Sequence, residues 1–443
     1  MAQSINVDEL VDEQPVGGFV LRVLALALIA LIADGYDVQV MSFAAPGLVK
    51  AWHLNRALLA PALSAGLMGI LVGALLFGWI GDRFGRKPAI VIGSVLFGLV
   101  SLACTQAQSL DQLIALRILT GVGLGGVMPN VIALTAELAP RKVRAGLTTF
   151  VMVGITIGGI LPGLVVANMA AQGGWRTLFL IGGVTPLLIA PLLAVALPES
   201  PGFMVRRGAA RERIARLVRS IAPKAAVGPD TVFTSNPSPP DAGFSALFAG
   251  RLKVVTPLLW VMYAGSLLSL YLLTSWMPTL LEASGFTPAQ AAANNSLFQV
   301  GGLAGCVMVS LLLGRVGVPL VAIMFALTLA AVAVTARAPL PGGALTLAVM
   351  ACGFCLTGVQ CSLNGTAGLA YPTTSRARGV GMALGVGRIG SIVGPFLGGA
   401  MVQAGVTSAR DLFLLPILPL ALGAAATLVV MGKLNIRGPG PAS

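Results

Sequence analysis

Charged residues are scarce in this sequence: Asp, Glu, Lys and Arg together make up only 10% of its 443 residues. Soluble domains usually contain about 25%. There is one histidine, His53, and it falls in a predicted loop to which we assign no role. Cys352 and Cys355 form a C-x-x-C pair, but no second pair or histidine lies near them, which favours buried packing over redox or metal chemistry. With no Ser/His/Asp set or nucleotide loop visible either, these gaps argue against an enzyme, a metalloprotein or a signalling receptor.

Apolar residues, by contrast, make up 56% of the chain, and the mean hydropathy is +0.92. A helix needs about 20 apolar residues to cross the hydrocarbon core of a bilayer. The chain has room for twelve such segments, from 19–44 at its start to 411–432 near its end. It therefore predicts an all-α polytopic membrane protein with twelve transmembrane helices.

The net charge of +13 is distributed unevenly about these helices. If both termini share one side, 21 of the 28 Lys and Arg residues fall on that side and five on the other. The remaining two, Arg117 and Arg388, lie inside predicted helices. Cytoplasmic loops carry the excess of basic residues. The basic balance therefore predicts cytoplasmic termini and gives no support for nucleic-acid binding.

The longest polar stretch, 198–252, divides the apolar segments into two sets of six. It begins with PESPG at 198–202, continues with six arginines and ends in a Pro/Ser-rich segment, 228–243. We interpret it as a basic amphipathic helix followed by a flexible linker. The predicted organisation is a cytoplasmic tail (1–18), a six-helix bundle (19–197), the cytoplasmic linker (198–252), a second six-helix bundle (253–432) and a cytoplasmic tail (433–443).

The two sets of helices are related by an internal repeat. A shift of 232 residues superimposes boundary and glycine positions at once: Pro46 on Pro278, Arg83 on Arg315, Gly85 on Gly317, Gly121 on Gly353, Pro140 on Pro372, Arg144 on Arg376 and Gly158 on Gly390. Two parallel repeats related by an axis along the membrane normal are expected. The charges inside the membrane are not repeated, because Asp34 and Asp37 correspond to Ser266 and Ser269.

Asp34 and Asp37 lie in the first apolar segment, three residues apart on one helical face. An ionisable group at membrane depth costs at least about 2.5–3.5 kcal/mol and by default marks a function. Helical rise places Asp37 and Arg117 at similar depths, about 10–13 Å from the same membrane face. We expect the three residues to couple protons to transport. In the alternative interpretation, the acids are structural and only compensate Arg117.

Several motifs resemble those of a known family. The major facilitator superfamily is indicated by GWIGDRFGRK at 78–87 and RILTGVGLGG at 117–126. DGYD at 34–37, GVMPNVIALTAE at 126–137 and YPTTSRARGVGMALGVGRIGSIVGP at 371–395 resemble the aromatic acid:proton symporter family, whose members import benzoate- and hydroxybenzoate-type acids into bacteria. The resemblance implies transport roles for residues at matching positions: Asp34, Asp37, Arg117, Glu137, Arg376 and Arg388. The turn at 313–319 lacks the acidic residue that this family often has there.

A carboxylate substrate would need a cation at mid-depth, and Arg388 is the candidate. Polar residues at comparable depth are Asn130, Gln360 and Asn364, and the favoured ring-contacting aromatic residues are Tyr36, Tyr263 and Phe298. Arg388 could instead pair with a backbone carbonyl or an acid of the first half. The aromatic side chains could equally belong to the apolar core.

A second group of charges falls at the cytoplasmic ends of the helices. Glu137 lies about 20 residues beyond Arg117, too far along its helix to share its depth. We expect these residues to form a gate: Asp82, Arg83, Arg86, Glu137, Arg144 and Arg376. By closing the inner side, this gate would stabilise the outward-facing state.

The resulting hypothesis is proton-coupled uptake of a small aromatic carboxylate by alternating access, with no cofactor beyond the proton gradient. The expected partners are the acid, protons and the lipid bilayer, and we expect a monomer in the bacterial inner membrane. Alternatives on the same fold are a symporter of another organic anion, a sugar or a polyol, or an exporter.

Overall fold

A computed structural model of the chain describes residues 4–223, 225, 227, 228, 230–236, 243–337, 342–372, 375–405 and 409–434. Nearly all of these residues are helical. The membrane helices are α1 (Gly18–Trp52), α2 (Leu59–Phe84), α3 (Arg86–Cys104), α4 (Leu110–Leu138), α5 (Arg144–Asn168), α6 (Gly174–Ala196), α7 (Leu252–Ala283), α8 (Pro288–Val316), α9 (Pro319–Arg337), α10 (Gly342–Ala370), α11 (Arg376–Gln403) and α12 (Ile417–Leu434). Most of the predicted tail 433–443 lies outside the described residues.

The predicted membrane helices are present. Eleven of the described helices are long and apolar enough to cross a bilayer, and α12 is a shorter apolar helix. The backbone turns between α5 and α6 at Gly174, which has a φ of 59°. Our expectation that the first helix stops before Pro46 is wrong, because α1 continues through Pro46 to Trp52. The distance from Asp37 to the end of its helix is therefore about 22 Å, longer than the sequence indicated.

The 232-residue repeat reappears as matched packing contacts. A Cβ atom on Gly69 of α2 would lie 2.1 Å from the Ile118 carbonyl oxygen of α4. In the second half, a Cβ atom on Gly301 of α8 would lie 2.0 Å from the Met350 carbonyl oxygen of α10. Only glycine permits such backbone contact between helices. The chain thus folds into two pseudo-symmetric six-helix bundles with equivalent internal packing.

We call the side of the membrane that carries residues 197–252 the linker side and the other the opposite side. The two bundles meet mainly through α1 with α7, α2 with α11, and α5 with α8. Ser64 donates to the Ile392 carbonyl at 2.9 Å, and Ser296 donates to the Ile160 carbonyl at 3.1 Å. Lys50 and Glu282, near the ends of α1 and α7, form an ion pair of 2.6 Å. These contacts hold the bundles together toward the opposite side.

The N-terminal segment and the linker form a small unit on the linker side. Residues Ser4–Asn6 pair in parallel with Val232–Thr234, and Val7 packs on Ile214 and Val218 of the helix Arg211–Ile221. The helix is amphipathic, as we had interpreted it, and its apolar face is covered by protein. A disulfide, which the sequence did not indicate, joins Cys306 of α8 to Cys361 of α10. Cys104, Cys352 and Cys355 are buried and free.

Candidate functional site

Asp37 and Arg117 form an ion pair in the middle of the first bundle. Arg117 Nη2 donates to Asp37 Oδ2 at 2.9 Å and to Oδ1 at 3.3 Å. The two side chains are only 1% and 3% exposed, respectively. Ser101 of α3, a residue that sequence reasoning missed, donates to Asp37 Oδ1 at 3.0 Å. α1, α3 and α4 each therefore contribute one polar side chain to a charge-assisted hydrogen-bond network.

α6 closes this network off from the side. The Arg117 guanidinium carbon lies 5.1 Å from the centre of the Phe179 ring, within cation–π distance. A Cβ atom on Gly182 would lie 3.5 Å from Asp37 Oδ1. The hydroxyl of Tyr36 donates to the Leu178 carbonyl at 3.0 Å. A buried pair of this kind has no water to replace a lost partner, so removing either charge leaves the other uncompensated.

Asp34 lies almost one helical turn earlier on α1, in a different environment. It is 4% exposed, and its Oδ1 atom has no hydrogen-bond partner among the described residues. Its electrostatic neighbours are Arg388, on α11 of the second bundle, and Asp37. A buried carboxyl oxygen without a donor is costly to maintain and marks a functional position. Asp34 thus lies between the closed Asp37 network and the second bundle.

Arg388 reaches across the boundary between the bundles. Its Nη2 atom lies 3.6 Å from the Met128 sulfur of α4. Arg388 belongs to none of the ion pairs within the described part of the chain. Its backbone carbonyl accepts from Ser391 at 2.6 Å. A guanidinium with no carboxylate in direct contact is available to bind an anion.

Two of the predicted amides, Gln360 and Asn364, lie on α10 and are half-buried. Tyr263 Oη donates to Asn364 Oδ1 at 2.8 Å, and Ser266 Oγ donates to Gln360 Oε1 at 3.2 Å. Ser266, the repeat counterpart of Asp34, was not among the predicted site residues. The second bundle therefore has a polar group made of hydroxyl and amide side chains, without acids.

The other predicted substrate residues are held by contacts between helices or lie in the apolar core. Asn130 donates to the carbonyls of Phe77 and Gly126, so its amide hydrogens join α2 and α4. Phe298 is completely buried in the core of the second bundle, and Tyr36 is held by α6. Tyr263 is also completely buried and acts through its hydroxyl instead of its ring face. The core interpretation that we left open for aromatic residues fits Phe298.

The predicted gate residues separate into different contacts on the linker side. Arg86 pairs with Asp82 at 2.7 Å and with Glu137 at 3.3 Å, which joins α2, α3 and α4 within the first bundle. The Arg83 guanidinium lies 5.5 Å from the centre of the Trp79 ring. Arg144 pairs with Asp12 of the short helix Val7–Glu13, and Arg376 donates to the Tyr371 carbonyl. Neither arginine therefore joins the Asp82–Arg86–Glu137 cluster.

Glu199 of the PESPG motif, which we had not assigned to a site, caps the start of α3. Its carboxylate accepts from the backbone N–H groups of Arg86 at 3.0 Å and Lys87 at 3.2 Å. A carboxylate at a helix N-terminus is favoured by the helix dipole. Burial nevertheless raises the pKa of Glu199, and the backbone N–H donors oppose that rise only in part. Gly85, with a φ of 111°, leaves the space that the carboxylate occupies.

Comparison with known proteins agrees with this architecture. Residues 27–395 match the Major Facilitator Superfamily. The chain is 36% identical to a gallate transporter of Pseudomonas putida, over 98% of this chain and 96% of that protein. It is 37% identical to the 4-hydroxybenzoate transporter PcaK of the same organism, over 97% and 96%, and 31% identical to a benzoate transport protein of Acinetobacter baylyi, over 91% and 88%.

A solved structure of the xylose transporter XylE from E. coli, in a partially occluded inward open conformation, has the same fold. It superimposes with a TM-score of 0.73 at 18% identity and covers 96% of this chain and 100% of that one. At this identity the likeness concerns the fold alone. The relatives that match over most of the chain are named as transporters and not as enzymes.

Proposed function

The chain belongs to the Major Facilitator Superfamily, and from that premise we propose that it couples proton entry to uptake of a small aromatic carboxylate. One observation carries the proposal. An acid with an unpartnered oxygen, Asp34, lies between a closed Asp37–Arg117 pair and an Arg388 that makes no ion pair in the described part of the chain. The names of the relatives, which include gallate, 4-hydroxybenzoate and benzoate transporters, support the substrate class.

In this mechanism the proton and the anion occupy neighbouring sites. A proton entering from outside neutralises Asp34 or Asp37, which weakens the hold of the acids on Arg117 and Arg388. The substrate carboxylate then binds Arg388 through parallel N–H···O bonds. Rocking of the two bundles exposes both sites to the cytoplasm, where the proton leaves and the re-formed acid–arginine interactions release the anion.

The proposal assigns the linker side to the cytoplasm of a bacterial inner membrane, since that side carries most of the Lys and Arg residues. With this orientation, the contacts near Lys50 and Glu282 close the outer side in the described arrangement. The proposed transporter acts as a monomer and needs no cofactor besides the proton gradient. The Asp82–Arg86–Glu137 cluster would hold the inner ends of α2, α3 and α4 together as the bundles rock.

Asp37→Asn tests proton coupling in proteoliposomes. The substitution keeps the shape of the side chain but cannot cycle a proton, so accumulation driven by an imposed pH gradient should be lost while exchange of labelled substrate down its gradient continues. Asp111→Asn, in the first turn of α4 near the membrane surface, is the control and should accumulate substrate normally. Accumulation against a gradient by Asp37→Asn would refute the coupling role.

Arg388→Gln separates the aromatic acid from a neutral substrate such as a sugar or polyol. A transporter of a neutral compound has no need of the guanidinium and should keep its substrate affinity. Recognition of a carboxylate predicts loss of binding, by about 10- to 100-fold for a charge-assisted pair. Thermal-shift measurements with benzoates, dicarboxylates and sugars on both proteins distinguish the two outcomes.

A further inference from the structure

Two amides of the second bundle are held in one orientation by hydroxyl groups of the neighbouring helix. Both hydroxyl donors, Tyr263 and Ser266, lie on α7 three residues apart, and both acceptors, Asn364 and Gln360, lie on α10 four residues apart. Tyr263 and Ser266 are 0% and 1% exposed. The hydroxyl groups therefore have little access to water or substrate themselves, and the amides form the accessible part of the group.

The occupied atoms determine what these amides can bind. A carboxamide has one acceptor oxygen and two N–H donors. The oxygen atoms of Gln360 and Asn364 each already accept one bond from α7, so the two N–H donors of each NH₂ group are the larger part of the hydrogen-bonding capacity that remains. Within the described part of the chain, neither amide nitrogen donates to another protein group. The half-buried amides thus offer mainly N–H donors to a ligand that lies against α10.

The helix that carries the cation packs on α7, as α10 does. Gly387 of α11 packs on α7, since a Cβ atom there would lie 3.3 Å from Tyr263 Cβ. The next residue is Arg388, whose guanidinium has five N–H donors and no acceptor. Arg388 and the two amides, on helices that both pack on α7, all supply N–H donors. Such a set of donors fits a ligand that carries acceptor oxygens at two places.

We propose that Gln360 and Asn364 form a second anchor, which selects aromatic carboxylates bearing an oxygen atom on the ring, with Tyr263 and Ser266 as its positioning residues. The inference rests on the proposed function, in which Arg388 binds the carboxylate. The anchor needs an acceptor and not a donor from the ligand. A ring ether oxygen therefore serves as well as a ring hydroxyl, whereas an unsubstituted or methyl-substituted ring lacks the contact.

Binding of seven acids to the purified full-length protein tests the selection. Benzoate, 4-methylbenzoate, 4-hydroxybenzoate and 4-methoxybenzoate, together with the 3-substituted isomers, are titrated by calorimetry. The better hydroxy isomer and the better methoxy isomer should each bind about five- to tenfold more tightly than benzoate, as expected for one or two net hydrogen bonds. The methyl acids should bind like benzoate. A preference for hydroxybenzoate that methoxybenzoate does not share would overturn an anchor made of N–H donors.

Tyr263→Phe and Ser266→Ala test the positioning residues. Each releases one amide to turn its oxygen outward, so the preference for oxygenated rings should fall about threefold while the Kd for benzoate stays unchanged. Ser269→Ala is the matched control, because Ser269 is a buried serine of the same helix that donates only to the Gly265 carbonyl. It should keep the wild-type preference.

The outcomes separate the anchor from the proposed function. If both variants weaken all acids equally, the hydroxyl groups are merely structural and the inference is wrong, although aromatic acid transport stands. If the wild-type protein binds aromatic acids with no preference for ring oxygen, the anchor is refuted in the same way. If the wild-type protein binds none of the acids, the proposed function itself fails, and the anchor fails with it.

Discussion

The two bundles share a backbone plan but differ in the chemistry placed on it. At positions related by 232 residues, the first bundle has Asp37 and Arg117, and the second has Ser269 and Val349. Asp37 is paired with Arg117, whereas the Ser269 hydroxyl donates to the carbonyl of Gly265 on its own helix. Helix packing is therefore satisfied without charges. The fold therefore does not require acids at these positions, which supports the proposed coupling role of Asp37.

The largest effect is expected from giving the first bundle the residues of the second. Asp37→Ser alone leaves Arg117 buried without its partner and should destabilise the protein by about 3–5 kcal/mol. Adding Arg117→Val removes the stranded charge and should restore most of that stability, although proton-driven accumulation stays lost. Thermal unfolding in detergent measures the first effect, and proteoliposome transport measures the second.

The stability of the double variant Asp37→Ser/Arg117→Val tests whether the two bundles differ only by a replaceable charge pair. If it is no more stable than Asp37→Ser, the ion pair is not the reason for the loss, and the two bundles differ by more than a replaceable charge pair. The matching removal in the second bundle is Ser269→Ala, which deletes a hydroxyl bonded only to its own helix. It should lower the free energy of unfolding by no more than about 1 kcal/mol.

Matched glycine substitutions test whether the packing is as equivalent as the backbone indicates. Gly69→Ala and Gly301→Ala each place a methyl group about 2 Å from a carbonyl oxygen of the facing helix. Overpacking of this kind costs about 1–3 kcal/mol, and the two variants should lose similar stability. Gly78→Ala and Gly314→Ala are the controls, because their added Cβ atoms meet nothing within 4 Å. Strongly unequal losses would contradict the equivalence.

The ion pair between Lys50 and Glu282 joins repeat-related positions with opposite charges. Lys50 is 64% exposed, so the pair contributes no more than about 1 kcal/mol. Lys50→Glu sets two carboxylates against each other and should open this side, raising maleimide labelling of an introduced Ser64→Cys by up to about fivefold. Combining Lys50→Glu with Glu282→Lys restores the attraction and should return labelling to its original rate.

The smallest effect concerns Glu199, which has no acidic counterpart in the second bundle, where Met431 stands. Because burial raises its pKa, the folded protein holds this proton to a higher pH than the unfolded chain. The associated stability is complete below the ordinary pKa of 4.5 and is lost as the pH rises through the raised pKa. Glu199→Gln should flatten the dependence of Tm on pH in this window.

Much of the fold was predictable because the bilayer imposes simple rules. Length and hydropathy placed the helices, and one offset related the two bundles down to single glycines such as Gly121 and Gly353. The pairing of Asp37 with Arg117 followed from depth along two helices. The error over Pro46 shows the limit of this reasoning, since a proline within the membrane need not end a helix.

The candidate substrate site was harder to predict. Depth placed Asn130, Gln360 and Asn364 together, but depth says nothing about the direction in which a side chain points. Asn130 is bonded to α2, whereas Gln360 and Asn364 are bonded to α7. Ser101 and Ser266 were not predicted as site residues. A serine in an apolar helix usually bonds to its own backbone, so its presence in the sequence does not indicate a site.

By itself, the sequence determined the membrane class, the number of helices, the repeat and the presence of ionisable groups at depth. These properties depend on composition and on spacing along single helices. Only the tertiary structure decided that Asp37 is closed off with Arg117 and Ser101, and that Asp34 keeps an oxygen without a donor. It also decided that the amide oxygens of α10 accept from hydroxyl groups of α7. Hydrogen bonds between helices depend on how the helices are rotated against one another. That rotation follows from the packing of all of them together.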